Sequence, residues 1–220
     1  MKSLYIIGTS GFASEVTEYI QSTGEYFISG YFDRDDNNYR KYCYSAPFLG
    51  FEQDYEFKKS DNVVIAVADA ALRKNIYDYL KNFDIEFPII TNESSFIGKT
   101  CQIQEGAIIC PFVTITSCVK IGQAFQANIY SYVAHNCVIG NHVTFAPGVK
   151  CNGNVVIEDD VYIGTGVIIH QGKPDKPLKI GKGAVIAAGS VVTKTVEPGI
   201  TVFGSPAIEL TKENMKKRLG

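Results

Sequence analysis

From Ile97 to Ile169 an aliphatic or small residue returns at every sixth position without a slip: Ile97, Ile103, Ile109, Ile115, Ile121, Ala127, Val133, Ile139, Phe145, Cys151, Ile157, Ile163 and Ile169. Four positions after nearly every one comes a second small or branched residue, as in Ala107, Val113, Val119, Ser131, Val143 and Val167. A period of six matches neither a helix, at about 3.6 residues per turn, nor an ordinary strand, at about 2. It does match a parallel β-helix, in which three hexapeptides close one triangular coil of about 18 residues and each coil stacks on the last. The repeat resumes at Ile180, Ile186 and Val192 after a displacement of 11 rather than 6, so about five residues near Gln171–Pro177 are expected to leave the coil as a loop.

Charge and aromatic content divide the chain. Residues 1–92 carry 9 Lys/Arg against 14 Asp/Glu, residues 93–170 carry 3 against 5, and residues 171–220 carry 9 against 4. Eighteen of the Phe and Tyr residues precede residue 93. A domain boundary is therefore expected there: 1–92 an α/β unit, 93–208 the coils, 209–220 a tail. The overall net charge of −2 argues against a nucleic-acid partner. No apolar run approaches the roughly 20 residues of a membrane helix, and the short apolar start ending at Gly8 does not make a signal peptide. A cytoplasmic protein is the expectation, with six free, mostly buried thiols.

The first 92 residues alternate strand and helix. Leu4–Ile7, Ile28–Phe32, Val63–Val67 and Phe87–Ile90 read as strands, and Ser14–Gln21 as a helix after the turn Gly8-Thr9-Ser10-Gly11. Asp69 is placed to cap a second helix running to about Phe83. Such alternation predicts a parallel sheet with its ligand at the carboxyl ends of the strands. The glycine turn would present main-chain N–H groups to phosphate at a helix start. Residues 34–62 are uninformative beyond a turn at Pro47.

The hexapeptide ladder, the ejected loop, the closing Gly189-Ser190-Val191-Val192-Thr193-Lys194, Phe203-Gly204-Ser205-Pro206-Ala207 and the Gly8–Gly11 turn together resemble one family. These are the hexapeptide-repeat sugar O-acyltransferases of the sialic-acid O-acetyltransferase type and the related nucleotide-amino-sugar N-acetyltransferases. The resemblance implies an α/β amino-terminal Rossmann-like domain plus a left-handed parallel β-helix. It also implies a homotrimer, acetyl-CoA as acyl donor, and a nucleotide-linked sugar held by the front domain.

His135 lies two residues past the inward Val133, so its side chain should project outward from the prism wall, and the family's catalytic base falls at this position. An imidazole with a pKa near ~6.5 suits a base working near neutrality. One coil on stands Gly153, whose amide is the expected oxyanion donor; an ordinary turn glycine is the competing reading. Many relatives follow the histidine with a carboxylate, and here the residue is Asn136, which can orient the ring but adds no charge. A weaker base suits an amine nucleophile better than a hydroxyl, which favours N-acetylation. Carried over from the family, Thr144, Thr165 and Ala188 are expected along the coenzyme A groove, while Ser10, Gly11, Phe12, Asp33, Arg34 and Ala68 are expected at the nucleotide sugar. Phe12 stands where relatives often carry histidine. Lys173, Lys176, Lys179, Lys182 and Lys194 offer positive charge to the cofactor's phosphates. His142 is expected on an outer corner at the surface, and His170 at the mouth of the loop. No metal is expected. The alternatives are O-acetylation of a sialic-acid-like sugar, a zinc enzyme using the three histidines, and a non-catalytic sugar-nucleotide-binding protein.

Overall fold

The computed structural model describes residues 1–219, so Gly220 of the expected tail lies outside the described residues. Strand β1 (Lys2–Ile7) runs between β2 (Tyr26–Phe32) and β3 (Asn62–Ile65) in a parallel sheet of order β2-β1-β3. Helix α1 (Gly11–Thr23) buries Ala13, Val16, Thr17 and Ile20, and α2 (Ala70–Leu80) buries Arg73, Ile76, Tyr77 and Leu80. Both sets share one i, i+3, i+4, i+7 stripe, the face a helix must turn to a core. Gly24, in the left-handed region at φ 63°, closes α1 by donating its N–H to Gln21 O. The Asp69 carboxylate caps α2, accepting from Leu72 N at 2.7 Å.

Two expectations need correction here. Helix α2 stops at Leu80, short of Phe83, because the Asn82 side-chain amide donates to the carbonyls of Asp78 and Tyr79 and satisfies the last turn. Phe87–Ile90 adds no fourth strand to the front sheet. Glu86 makes a single bridge to Asn62, Pro88 has no N–H to donate, and Ile90–Thr91 already pairs with Ile108–Ile109 in the coils.

The remainder is a three-sided parallel β-helix. In one coil the strands are Gln126–Ala127, Tyr132–Val133 and Val138–Ile139. Each pairs in register with a strand 18 residues on, Thr144–Phe145, Lys150–Cys151 and Val155–Ile157. Among the described residues the first, second and third faces hold eight, six and five strands. The last first-face strand (Ile208–Glu209) turns back antiparallel, and helix α3 (Lys212–Leu219) follows. Inside, the sixfold ladder is buried from Ile109 to Ile169, and Phe125 meets Phe145 edge-on at 5.2 Å. Val155 pairs with Leu178, 23 residues later, so the five extra residues leave between Ile169 and Leu178 without disturbing the stack. No helix among the described residues is long and apolar enough to cross a membrane.

With the Phe145 ring wholly buried in this ladder, Phe145→Ala should lower unfolding stability by about 3–5 kcal/mol, read as a reduced urea midpoint. An unchanged midpoint would mean that the interior does not carry the fold.

Candidate functional site

The corner between the second and third faces is built by residues 134–137 in one coil and 152–154 in the next. Asn154 N donates to His135 O at 3.0 Å, which locks the two together. The exposed His135 imidazole is set close against Gly153. A Cβ added there would stand 2.6 Å from His135 Cε1 and 2.7 Å from Nε2, so glycine is required by this approach. Gly153 is buried, its carbonyl accepts from Gly172 N of the ejected loop, and its N–H donates to no group among the described residues. A free main-chain donor thus sits beside a free imidazole. Asn136 has left-handed backbone at φ 58°, a conformation asparagine tolerates better than most residues, and its side chain makes no hydrogen bond to His135. Nothing in the geometry gives Asn136 the orienting part expected of it; the corner's backbone is sufficient reason for an asparagine there.

The front domain builds a different hollow. Gly8, at φ 105°, follows β1 so closely that a Cβ would meet Ala66 O at 2.8 Å. Asp33, at the end of β2, accepts from Thr9 N at 3.0 Å and Thr9 Oγ1 at 2.6 Å, while its other oxygen takes Arg34 N at 2.8 Å. The carboxylate therefore holds the glycine turn. The Tyr44 hydroxyl, within reach of the carbonyls of Thr9 and Ser10, supports it from the other side. Ser10 makes no side-chain cap, and the N–H groups of Ser10, Gly11 and Phe12 at the α1 start have no partner among the described residues. A cavity of about 610 Å³ opens here at the carboxyl ends of β1 and β3, lined by Ser10, Asp33, Arg34 and Ala68 among the expected residues.

Sequence reading missed the group that joins the two units. Arg73 is fully buried on α2. Its Nη1 donates to Val67 O, Ala68 O and Gln126 Oε1, its Nη2 to His142 O and Thr144 Oγ1, and its Nε to Ala124 O. Gln126 in turn donates to Ile65 O, and the Thr144 hydroxyl donates to Ala68 O at 3.1 Å. These bonds clamp the front domain to the first face. The Thr144 hydroxyl is thereby committed to the clamp, which leaves a main-chain contact as the way Thr144 would meet coenzyme A. A second hollow of about 320 Å³ lies between α1 and the first face, where Gly11, Phe12 and Ala68 meet Thr144 and Thr165. Phe12 packs half-buried at this junction. Ala188 is exposed one coil beyond Thr165, and Gly189 N donates to Thr165 O at 2.8 Å.

His142 is the clearest correction. Far from the surface, it is only 5% exposed, covered by Tyr77 edge-on at 5.3 Å and held by Arg73 through its carbonyl. Burial first, then the Arg73 charge, push its pKa below the usual value, and its Nδ1 has no partner among the described residues. His170 is exposed. All six cysteines are free, with Cys110, Cys137 and Cys151 buried. Burial drives the Cys110 thiol up to about 12, leaving almost no thiolate to act as a nucleophile.

Residues 3–80 match the model of the PglD N-terminal domain. Over 167 residues the chain is 51% identical to the GDP-perosamine N-acetyltransferase of Escherichia coli O157:H7, covering 76% of this chain and 71% of that protein. The structure of WeeI from Acinetobacter baumannii AYE superposes with a TM-score of 0.86 at 40% identity, covering 96% of this chain and all of that one. PerB from Caulobacter crescentus, solved with CoA and GDP-perosamine, has the same fold, with a TM-score of 0.84 at 20% identity and coverage of 96% and 98%.

Because His142 is held neutral in the fold, the unfolded chain takes up a proton first as pH falls below the ordinary histidine value, and stability is lost in that window. The groups facing it are Arg73, Lys74, Asp78 and Asp160. The melting temperature should drop between about pH 7 and about pH 5, and drop less in His142→Asn, which tolerates the same left-handed backbone. Equal slopes in both proteins would contradict this.

Proposed function

The chain belongs to the hexapeptide-repeat nucleotide-amino-sugar N-acetyltransferases, and from that premise we propose that it moves the acetyl group of acetyl-CoA onto the amine of a GDP-linked amino sugar of the perosamine type. The base is His135. One observation carries this assignment: a free imidazole stands against a glycine whose N–H has no partner among the described residues. A thioester carbonyl seated at that corner would meet the Gly153 N–H as its oxygen gains charge. The sugar amine attacks the carbonyl carbon, and His135 takes the proton that the amine sheds. The tetrahedral intermediate collapses, the C–S bond breaks, and the imidazolium returns the proton to the leaving thiolate.

The sugar nucleotide is assigned to the front cavity, its diphosphate at the unpaired N–H groups of Ser10, Gly11 and Phe12, with Arg34 as an exposed cation beside them and Asp33 holding the turn. Coenzyme A is assigned to the groove past Thr165 and Ala188, with the exposed lysines of residues 173–182 near its phosphates. The front domain is clamped to the first face, whereas His135 stands on the corner that the first face does not touch. One chain therefore does not join amine to base, and a homotrimer in which a neighbour supplies the other half of the site does. We read the coils as left-handed and the front domain as Rossmann-like, on the hexapeptide spacing and the likeness to WeeI. The working division is 1–92 for the sugar nucleotide, 93–208 for acetyl transfer and 209–220 as tail, with the strand Ile90–Thr91 at the junction.

Thiol release from acetyl-CoA with GDP-perosamine tests the reading. His135→Ala should lower kcat by about 10²-fold or more with the assembly intact. Gly153→Ala should lower it by about 10-fold or more by pushing the imidazole aside. Near-wild-type turnover in His135→Ala would remove this residue from the chemistry.

A further inference from the structure

The front cavity contains a buried carboxylate that the chemistry above does not use. Glu52 opens a short 3-10 turn (Glu52–Asp54) after Gly50 and Phe51, and is only 4% exposed. It lines the same cavity as Gly8, Thr9 and Ser10. No Lys or Arg forms an ion pair with it among the described residues, and the one donor to its carboxyl is its own main-chain N–H. Burial is the largest influence and pushes its pKa up; the Asp33 and Asp54 charges add to that, while its own main-chain N–H and the Arg34 charge oppose it. A desolvated carboxylate with spare lone pairs is costly unless something arrives to use them.

We propose that Glu52 reads the base of the bound nucleotide and selects guanine. The inference rests on the front cavity being the sugar-nucleotide site. Two adjacent oxygens of a carboxylate match two adjacent donors, and among the common bases guanine alone carries them, at N1–H and the exocyclic N2 amine. Uracil and thymine offer one imide N–H flanked by carbonyl oxygens that a carboxylate repels. Adenine and cytosine place an amine beside a ring acceptor. With guanine seated, two charge-assisted hydrogen bonds replace the missing solvent and hold Glu52 ionised. Phe51, which lines the same cavity, offers an aromatic surface next to this edge.

Calorimetric titration of the full chain with GDP, inosine diphosphate and UDP tests the assignment. Inosine diphosphate differs from GDP only in lacking the N2 amine. The wild-type protein should bind GDP about 10-fold or more tighter than inosine diphosphate and more tightly still than UDP, since a site built for a donor rejects the analogue without it. Glu52→Gln places an amide where both donors point, and the GDP preference over inosine diphosphate should collapse to within about 3-fold. A variant that keeps the wild-type ratio overturns the role of Glu52. Equal wild-type affinities for GDP and inosine diphosphate overturn it without need of the variant. If the wild-type protein binds none of the three, the reading of the cavity as a nucleotide site falls with it.

Discussion

The eighteen-residue closure of the coil is the constraint from which the rest follows. Once three hexapeptides make one turn, each main-chain N–H of a strand finds its carbonyl in the neighbouring coil, and residue n stands beside residue n + 18. Interior positions then have no freedom: they must be apolar and of matched size, and from Ile109 to Ile169 they are buried without exception. The same arithmetic seats the His135 ring over Gly153. It also explains how the five extra residues before Leu178 pass out of the wall while the register on either side is kept. One of them, Gly172, returns a hydrogen bond to Gly153 O, so the loop is tied to the corner where the imidazole stands.

A second constraint fixes the front domain to this prism. Arg73 has no carboxylate within ion-pairing distance among the described residues, and is satisfied instead by carbonyls, a hydroxyl and a side-chain amide from both units. Removing a buried guanidinium would strand those acceptors without water, a larger loss than any one of the bonds is worth. Two of the acceptors are the carbonyls of Val67 and Ala68, residues that line the front cavity. The clamp that joins the domains is therefore also what orients the cavity floor. The clamp lies on the first face, whereas His135 stands at the corner between the second and third, which is why the proposed site is assigned to a junction between subunits.

The parts of this fold that repeat or punctuate were readable in the amino-acid order. The sixfold ladder, the ejected loop, the glycine turn and the Asp69 cap each depend on residues close in sequence or on a strict period. What escaped reading depends on contacts between distant segments. Arg73 looks like one more charge in a helix beside Lys74, and those of its acceptors that lie in the coils are more than 50 residues away. His142 occupies a corner that would be wet in any bare prism, and it is dry because α2 lies across it. Phe87–Ile90 has the composition of a strand, yet its hydrogen bonds go to the first coil. Glu52 sits in the stretch after Arg34, where neither period nor cap marked any element, so only its burial gave it away.

The most direct measurement is activity in mixed assemblies. One chain would carry His135→Ala and the other Ser10→Trp, which fills the front cavity from an exposed position and leaves the coils untouched. Each variant alone should be inactive. If base and amine meet between subunits, the co-expressed population as a whole regains about a quarter of wild-type turnover, the fraction of junctions in which both halves are intact under random assembly of the two chains in equal amounts. Mixed assemblies as inactive as their parents would contradict the account.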